Sequence, residues 1–362
     1  MRVDSCLKGY KPLFYNNSGN LVLSKGNKIF ERRSTNLELI CKLPFSRFAN
    51  ILFKVKLLSR LFRYGVRSAV EYDGAYYFTF NRAIYRFELS CAKLTNDFIF
   101  IKGRGPLSFT VIENIKGFQR GLYFGEYIAN RHKYPVKIYH RQHTWSVVYT
   151  FGEGELNHIH GLVTDRASDC LWVLAGDFKE SAAIFRAQNN FNNVEPVVRG
   201  RQKYRACVAF PVETGLLYAT DTQQEKNSIR LLTNNYGVWE SEKICDINGP
   251  CIYGQELPDY YVFSTSTEPS EIVTSRFLSL LDNKPAPAIE KNQSDMILLS
   301  KNGGDARIGF SAAKDIFPFR LFQFGTIMFP HGISKHNEIA AYFVGSKKND
   351  LALVFFSLEN EF

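Results

Sequence analysis

Short runs of alternating apolar and polar residues, separated by turn residues, fill most of this chain. That is the pattern of half-buried β-strands. Leu21-Val22-Leu23 and Lys28–Arg32 flank Lys25-Gly26-Asn27 and predict a hairpin, with a further short strand at Leu37–Ile40. After Gly65 the cadence settles. Val66–Glu71, Ala75–Phe80 and Ile84–Leu89 predict successive antiparallel strands across turns at Asp73-Gly74 and Asn81-Arg82. Later units begin near Leu107, His158, Tyr204, Pro250 and Phe319, mostly about 40–50 residues apart, the period of a four-stranded propeller blade. The expected fold is all-β: a single β-propeller over residues 1–362 with seven blades. This count takes the N-terminal hairpin as a blade and lets the last strand complete it. Six blades is the alternative, if the two incomplete terminal units form one. A β-sandwich gives no reason for so regular a period.

Two stretches interrupt the cadence. Residues 45–64 contain no Gly, Pro or acid, and a helical wheel puts Phe48, Ile51, Leu52, Val55, Leu58 and Phe62 on one stripe. With Pro44 before it and Gly65 after it, this predicts an inserted amphipathic helix over residues 44–64. It carries Arg47, Lys54, Lys56, Arg60 and Arg63. Either the stripe packs on the body of the protein, or the helix lies on an anionic membrane face. Phe53, Leu57 and Leu61 outside the stripe keep the second reading open. The polar stretch 283–305 reads as an insertion within a late blade.

Composition adds a partner class. A hydrophobic share of 45% and a charged share of 22% suit a folded soluble protein, and 15% aromatics favour strands. The 45 Lys and Arg exceed the 35 Asp and Glu, for a net charge of +10. That balance suits an acidic glycan, a phosphate-bearing membrane surface or nucleic acid; a basic surface kept for solubility is the bland alternative. Nucleic acid ranks last, because the basic residues cluster in one helix and not along an aromatic-lined groove. The seven Cys form no CxxC pair and read as reduced thiols, neither a disulfide framework nor a zinc site. No signal core opens the chain and no run nears the roughly 18 apolar residues of a membrane span. The expected location is the cytoplasm, with residues 45–64 as the one means of peripheral attachment to the inner membrane.

In a blade, strand one starts and strand two ends at the same edge, because the two are antiparallel. Side chains at these points therefore converge. The starts supply His158, His160, Tyr204, Arg205 and Gln323; the ends supply Glu126, Tyr127, Asn130, Asp177, Asp221 and Glu268. One polar pocket is expected there, with His160, Tyr204, Arg205 and Glu126 as catalytic candidates. His158, Tyr127, Asn130, Asp177, Asp221, Glu268 and Gln323 are the substrate-binding candidates. Each alone has a plain structural reading: a hydrogen-bonded strand histidine, a core tyrosine, an aspartate capping its loop.

Three chemistries fit. His160, Tyr204 and Arg205 suit β-elimination of a uronate: Arg neutralises the carboxylate, His or Tyr takes the C5 proton, and Tyr protonates the leaving oxygen. Glu126 with Asp221 or Glu268 suits glycoside hydrolysis. His158-x-His160 with Asp177 or Asp221 could hold a metal, though that spacing on a strand is common, and no cofactor is expected. A non-catalytic sugar-binding funnel would present the same side chains.

Several segments carry a resemblance. Gly125-Glu126-Tyr127 with Asn130, Pro135–Tyr139, Thr144-Trp145, Val148–Phe151, His158–Gly161, Trp172-Val173 with Gly176-Asp177, Tyr204-Arg205-Ala206, Asp221 with Asn227, and Phe322–Gly325 are similar to BNR/Asp-box-type propellers. These are the sialidase-like or glycosyl-hydrolase-like proteins associated with bacterial exopolysaccharide and O-antigen loci. The Asp-box itself has decayed to His140–Trp145, without its Asp and Gly. The arginine triad and Tyr–Glu nucleophile of a sialidase have no counterpart that can be placed here. The resemblance implies work on an acidic or neutral glycan, in the biosynthesis or processing of a bacterial capsule or lipopolysaccharide. The protein would be a binding propeller, a lyase or glycosidase, or a scaffold among other glycan-assembly proteins.

Overall fold

The chain is a seven-bladed β-propeller, and each blade is a four-stranded antiparallel sheet. A computed structural model describes residues 1–45, 55–270, 276–334 and 338–358. A lone strand β1 (Arg2–Lys8) precedes the first blade, β2 (Lys11–Tyr15) to β5 (Asn36–Lys42). The next four blades are β6 (Ala69–Tyr72) to β9 (Lys93–Ile99), β10 (Thr110–Ile112) to β13 (Trp145–Phe151), β14 (Ile159–Asp165) to β17 (Asn193–Arg199), and β18 (Ala206–Val212) to β21 (Val238–Ile247). The sixth is β22 (Cys251–Glu256) to β25 (Arg307–Ala313), and β26 (Thr326–Met328) to β28 (Ala352–Ser357) begin the seventh. Residues 67–246 form one compact unit; residues 1–66 with 247–362 form another.

Within residues 67–246, the second strands Ala75–Phe80, Gly121–Gly125 and Cys170–Ala175 are buried from end to end. A strand covered on both faces has no polar side, so its apolar residues run on without alternation. Outer strands such as Asn193–Arg199 keep a mixed pattern of mostly exposed and half-buried residues. Trp172, Leu174, Ile184 and Tyr218 share one buried cluster, and burial stabilises each large side chain by roughly 1.5–3 kcal/mol.

Three expectations need correction. First, β1 pairs antiparallel with β28, from Arg2↔Ser357 to Lys8↔Ala352. The first strand completes the last blade, and not the reverse. Its side chains are almost all exposed, so this edge strand leaves no apolar rhythm to read.

Second, the stretch 283–305 contains β24 (Gln293–Ser300), the third strand of the sixth blade. Its polar start disguises it. Asp295 is buried there, its Oδ1 accepting from Ser311 Oγ at 2.6 Å and Gln293 Nε2 at 2.8 Å. The strand expected at Ile272–Ser279 is, where described, a helix at Arg276–Leu281.

Third, of the expected stripe the described Val55 and Phe62 do not pack on the body, while Leu58 is half-buried. Residues 46–54, with Arg47, Phe48, Ile51, Leu52 and Lys54, lie outside the described residues. Lys56–Phe62 is helical, but Val55 and Phe62 are 46% and 43% exposed, while Arg60 is 1% exposed. Acids draw Arg60 in. Its Nη1 pairs with Asp315 and, at 3.3 Å, with Asp350, and its Nε donates to the Phe322 carbonyl at 2.7 Å.

A pH effect follows from the core. His140 is buried, stacks on Tyr123 at 4.4 Å between ring centroids, and donates from Nε2 to the Arg120 carbonyl at 3.2 Å. Burial holds its pKa below the ordinary 6.5, so the unfolded chain takes up the proton first as pH falls. Stability from the neutral ring is complete above about pH 6.5 and is lost below it, by at most about 1.4 kcal/mol per pH unit. Thermal unfolding should show a midpoint that drops through this range, and His140→Phe should flatten the drop. An equal slope in the variant would remove His140 as its source.

Candidate functional site

His158 stands just before β14, and the pairing of that strand slips between Ile159 and Gly161, leaving His160 in a β-bulge. A bulge re-aims the side chain it carries. Here both rings turn to one spot. His158 Nδ1 donates to the Ile128 carbonyl at 3.1 Å, and His160 Nδ1 donates to the Ala206 carbonyl at 2.9 Å. A carbonyl only accepts, so each Nδ1 bears a hydrogen and each neutral ring presents a bare Nε2 lone pair. The two Nε2 atoms stand 3.0 Å apart. Lone pairs facing at that distance repel unless a cation, either a proton or a metal ion, lies with them.

Asp177 supplies a third donor from the loop after Cys170–Ala175. Its Oδ1 lies 3.3 Å from His158 Nε2 and 3.5 Å from His160 Nε2. Burial opposes its ionisation, but contacts with His158, His160 and Arg205 outweigh it and hold the carboxyl well below the ordinary carboxylate range. Arg205 Nη2 lies 3.2 Å from Asp177 Oδ1 and 3.2 Å from Asp221 Oδ2. Cys207 Sγ donates to Asp221 Oδ2 at 3.2 Å, and burial pushes the thiol well up. Asp221 Oδ1 is buried without a hydrogen-bond partner among the described residues.

Two donor groups thus share His160: His158–His160–Asp177 and His160–Cys207–Asp221, the donors of each within 4.8 Å of one another. Metal–ligand bonds of about 2.1 Å put neighbouring donors about 3.0–3.4 Å apart, and the first group spans 3.0–3.5 Å. The residues therefore fit a small divalent ion. Tyr127 lies against His158 with ring centroids 4.4 Å apart, and Arg67 stands 5.1 Å over the Tyr127 ring. Burial, reinforced by Cys207, Asp177 and Asp221, keeps the Tyr127 phenol protonated.

The loops are tied from beneath. Gln202 Nε2 donates to the Asp177 carbonyl at 3.0 Å, and its Oε1 accepts from Thr222 Oγ1 at 2.9 Å. Gly176 has φ 79°, and a Cβ there would fall 1.4 Å from the Ser181 carbonyl oxygen. Gly176→Ala should therefore destabilise by about 2–4 kcal/mol and displace Asp177. Urea denaturation checks it; a change under about 0.5 kcal/mol would mean that the loop yields.

Of the expected site residues within residues 67–246, His158, His160, Tyr127, Asp177, Arg205 and Asp221 come together, and Glu126, Tyr204 and Asn130 do not. Glu126 is committed to its own blade, accepting from the Lys137 N–H at 2.8 Å and from Tyr139 Oη at 3.3 Å. Tyr204 packs on a core cluster with Val163 and Trp239. Asn130 closes its own loop, donating to the Tyr134 carbonyl at 2.8 Å and accepting the Tyr134 N–H at 3.0 Å. Glu268 and Gln323 belong to the other unit, where Glu268 is buried and Gln323 Nε2 donates to the Arg60 carbonyl at 2.9 Å. Cys207 went unread. It occupies the bulge of β18 as His160 occupies that of β14, so laying one strand start on the next would have found it.

No family model matches the sequence, and no curated protein matches it. Solved structures match the fold. An oligogalacturonate lyase in complex with manganese superposes with TM-score 0.60 at 10% identity, over 98% of this chain and 90% of that one. An oligogalacturonate lyase from Vibrio parahaemolyticus gives 0.57 at 10% identity, over 96% and 88%. The β-propeller domain of Cps50 (Swd1) from Myceliophteria thermophila gives 0.55 at 8% identity, over 98% and 99%.

Proposed function

We propose that this chain is a carbohydrate-acting propeller whose site holds a divalent metal ion on His158, His160 and Asp177 and takes an acidic sugar. One observation carries the reading: two Nε2 lone pairs, each fixed by a carbonyl behind its ring, converge at 3.0 Å beside a carboxylate. A two-His, one-carboxylate set leaves coordination positions open, and an ion bound there supplies Lewis acidity toward a uronate carboxylate. Arg205 holds Asp177 and Asp221 in place. Tyr127, kept protonated, is the donor for a leaving oxygen, and Asp221, whose Oδ1 has no hydrogen-bond partner among the described residues, is the carboxylate that takes the C5 proton. This favours β-elimination over hydrolysis, since Glu126 is spent on Lys137 and Tyr139. The manganese-bound lyase with the same fold supports the substrate class. The Asp-box-like segments favour a bacterial surface polysaccharide as its source.

A scaffold reading rests on burial: His158 and His160 are 6% and 3% exposed. Under it the pair shares a proton and binds nothing. The test strips the protein with chelator, restores manganese, and offers oligogalacturonate. Metal-dependent unsaturated ends support the lyase reading. Saturated reducing ends alone would make it a hydrolase, and no bound metal with no new ends would leave the scaffold.

A further inference from the structure

The unit formed by residues 1–66 and 247–362 carries a surface that its blades do not use. Helices Lys56–Phe62 and Arg276–Leu281 both pack on the short helix Phe319–Phe322. Arg63 Nη2 donates to the Arg320 carbonyl at 3.0 Å, and the Phe319 N–H donates to the Asp282 carbonyl at 3.3 Å. The three pieces are therefore one corner of the molecule. On it Leu57, Phe62, Leu278, Leu281 and Ile316 are 37%, 43%, 59%, 53% and 77% exposed. Scattered single exposures of this kind need no explanation; a group of them marks an interaction surface.

Arg63, Lys284 and Arg320 stand exposed beside the group, and all three are cations. Of the neighbouring acids, Asp315 is spent on Arg60 and Lys314 and Asp350 on Arg60 and, at 3.1 Å, on Lys56, while half-buried Asp282 accepts the Lys284 N–H at 3.0 Å. Arg60 therefore gives no charge to the surface. It anchors the helix that presents it.

We propose that this corner docks the protein peripherally on an anionic lipid surface. Apolar side chains enter the boundary between headgroups and acyl chains, while the cations beside them meet phosphates. No described helix is long and apolar enough to cross a membrane, so attachment of this kind is interfacial. The proposal is independent of the metal site.

Flotation with vesicles tests it, using pure phosphatidylcholine and a mixture with phosphatidylglycerol. The full chain should float with the anionic mixture only, and added salt should weaken it. Leu57→Glu with Phe62→Glu should cut partitioning at least about tenfold. Arg63→Glu and Arg320→Glu should each cut it roughly fivefold or more. Circular dichroism confirms that each variant is folded. Equal binding to neutral vesicles, no flotation, or unchanged flotation of the folded Leu57/Phe62 variant would overturn the proposal. So would self-association, seen by light scattering, that this variant abolishes while lipid binding is absent; the corner would then be a protein interface.

Discussion

Replacing Arg60 with glutamine should destabilise the protein by about 3–5 kcal/mol. Arg60 lies at 1% exposure between Asp315 and Asp350, and Lys314, 3% exposed, serves Asp315 from the other side. Removing the guanidinium leaves Lys314 to serve Asp315 and only the largely exposed Lys56, at 3.1 Å, to serve Asp350. An uncompensated buried charge costs far more than a lost surface pair, which is worth about 0–1 kcal/mol. The helix also hangs on this residue through its backbone, since Gln323 Nε2 donates to the Arg60 carbonyl. Arg60→Lys should recover only part of the loss, because one ammonium cannot reproduce the forked contacts to Asp315, Asp350 and the Phe322 carbonyl. Urea denaturation measures both variants. A loss below about 1 kcal/mol would show that water reaches the carboxylates.

His160→Ala should weaken manganese binding at least about 100-fold, since changing even a group behind a metal ligand costs 10–100-fold. His160 belongs to both donor groups, so among the described residues no alternative set survives its loss. Cys207→Ser is the informative partner variant. It keeps His158, His160 and Asp177, so manganese binding should persist, while preference for a soft ion such as zinc should fall. Equilibrium dialysis followed by metal analysis reads both. Wild-type affinity in folded His160→Ala protein would place the ion elsewhere.

The blade period was legible because the buried second strands and the turns between strands repeat in the residues themselves. What escaped had physical cover. β1 is an exposed edge strand; β24 opens on polar residues whose hydrogen bonds permit burial; Arg60 is buried because of acids more than 250 residues away. The site was legible as an end of the blades, but not as a direction. Glu126 and Tyr127 are neighbours, and adjacent side chains in extended chain point opposite ways; Tyr204 ends a short 3-10 turn at Gln202–Tyr204 and Arg205 follows it in extended backbone. In each pair one member reaches the histidines or aspartates and the other serves its own blade. Bulges at His160 and Cys207 decide which side faces the cluster, and a one-residue shift reverses that choice. The carbonyls of Ile128 and Ala206, which set both imidazole tautomers, have no side-chain signature at all.

The metal ion proposed between His158 and His160 can be observed. Anomalous diffraction at the manganese edge, from crystals grown with manganese, tests this most directly. One strong peak bonded to both Nε2 atoms and to the Asp177 carboxylate is expected. Imidazoles still about 3.0 Å apart with no peak beside them would contradict the proposal and leave a shared proton in the ion's place.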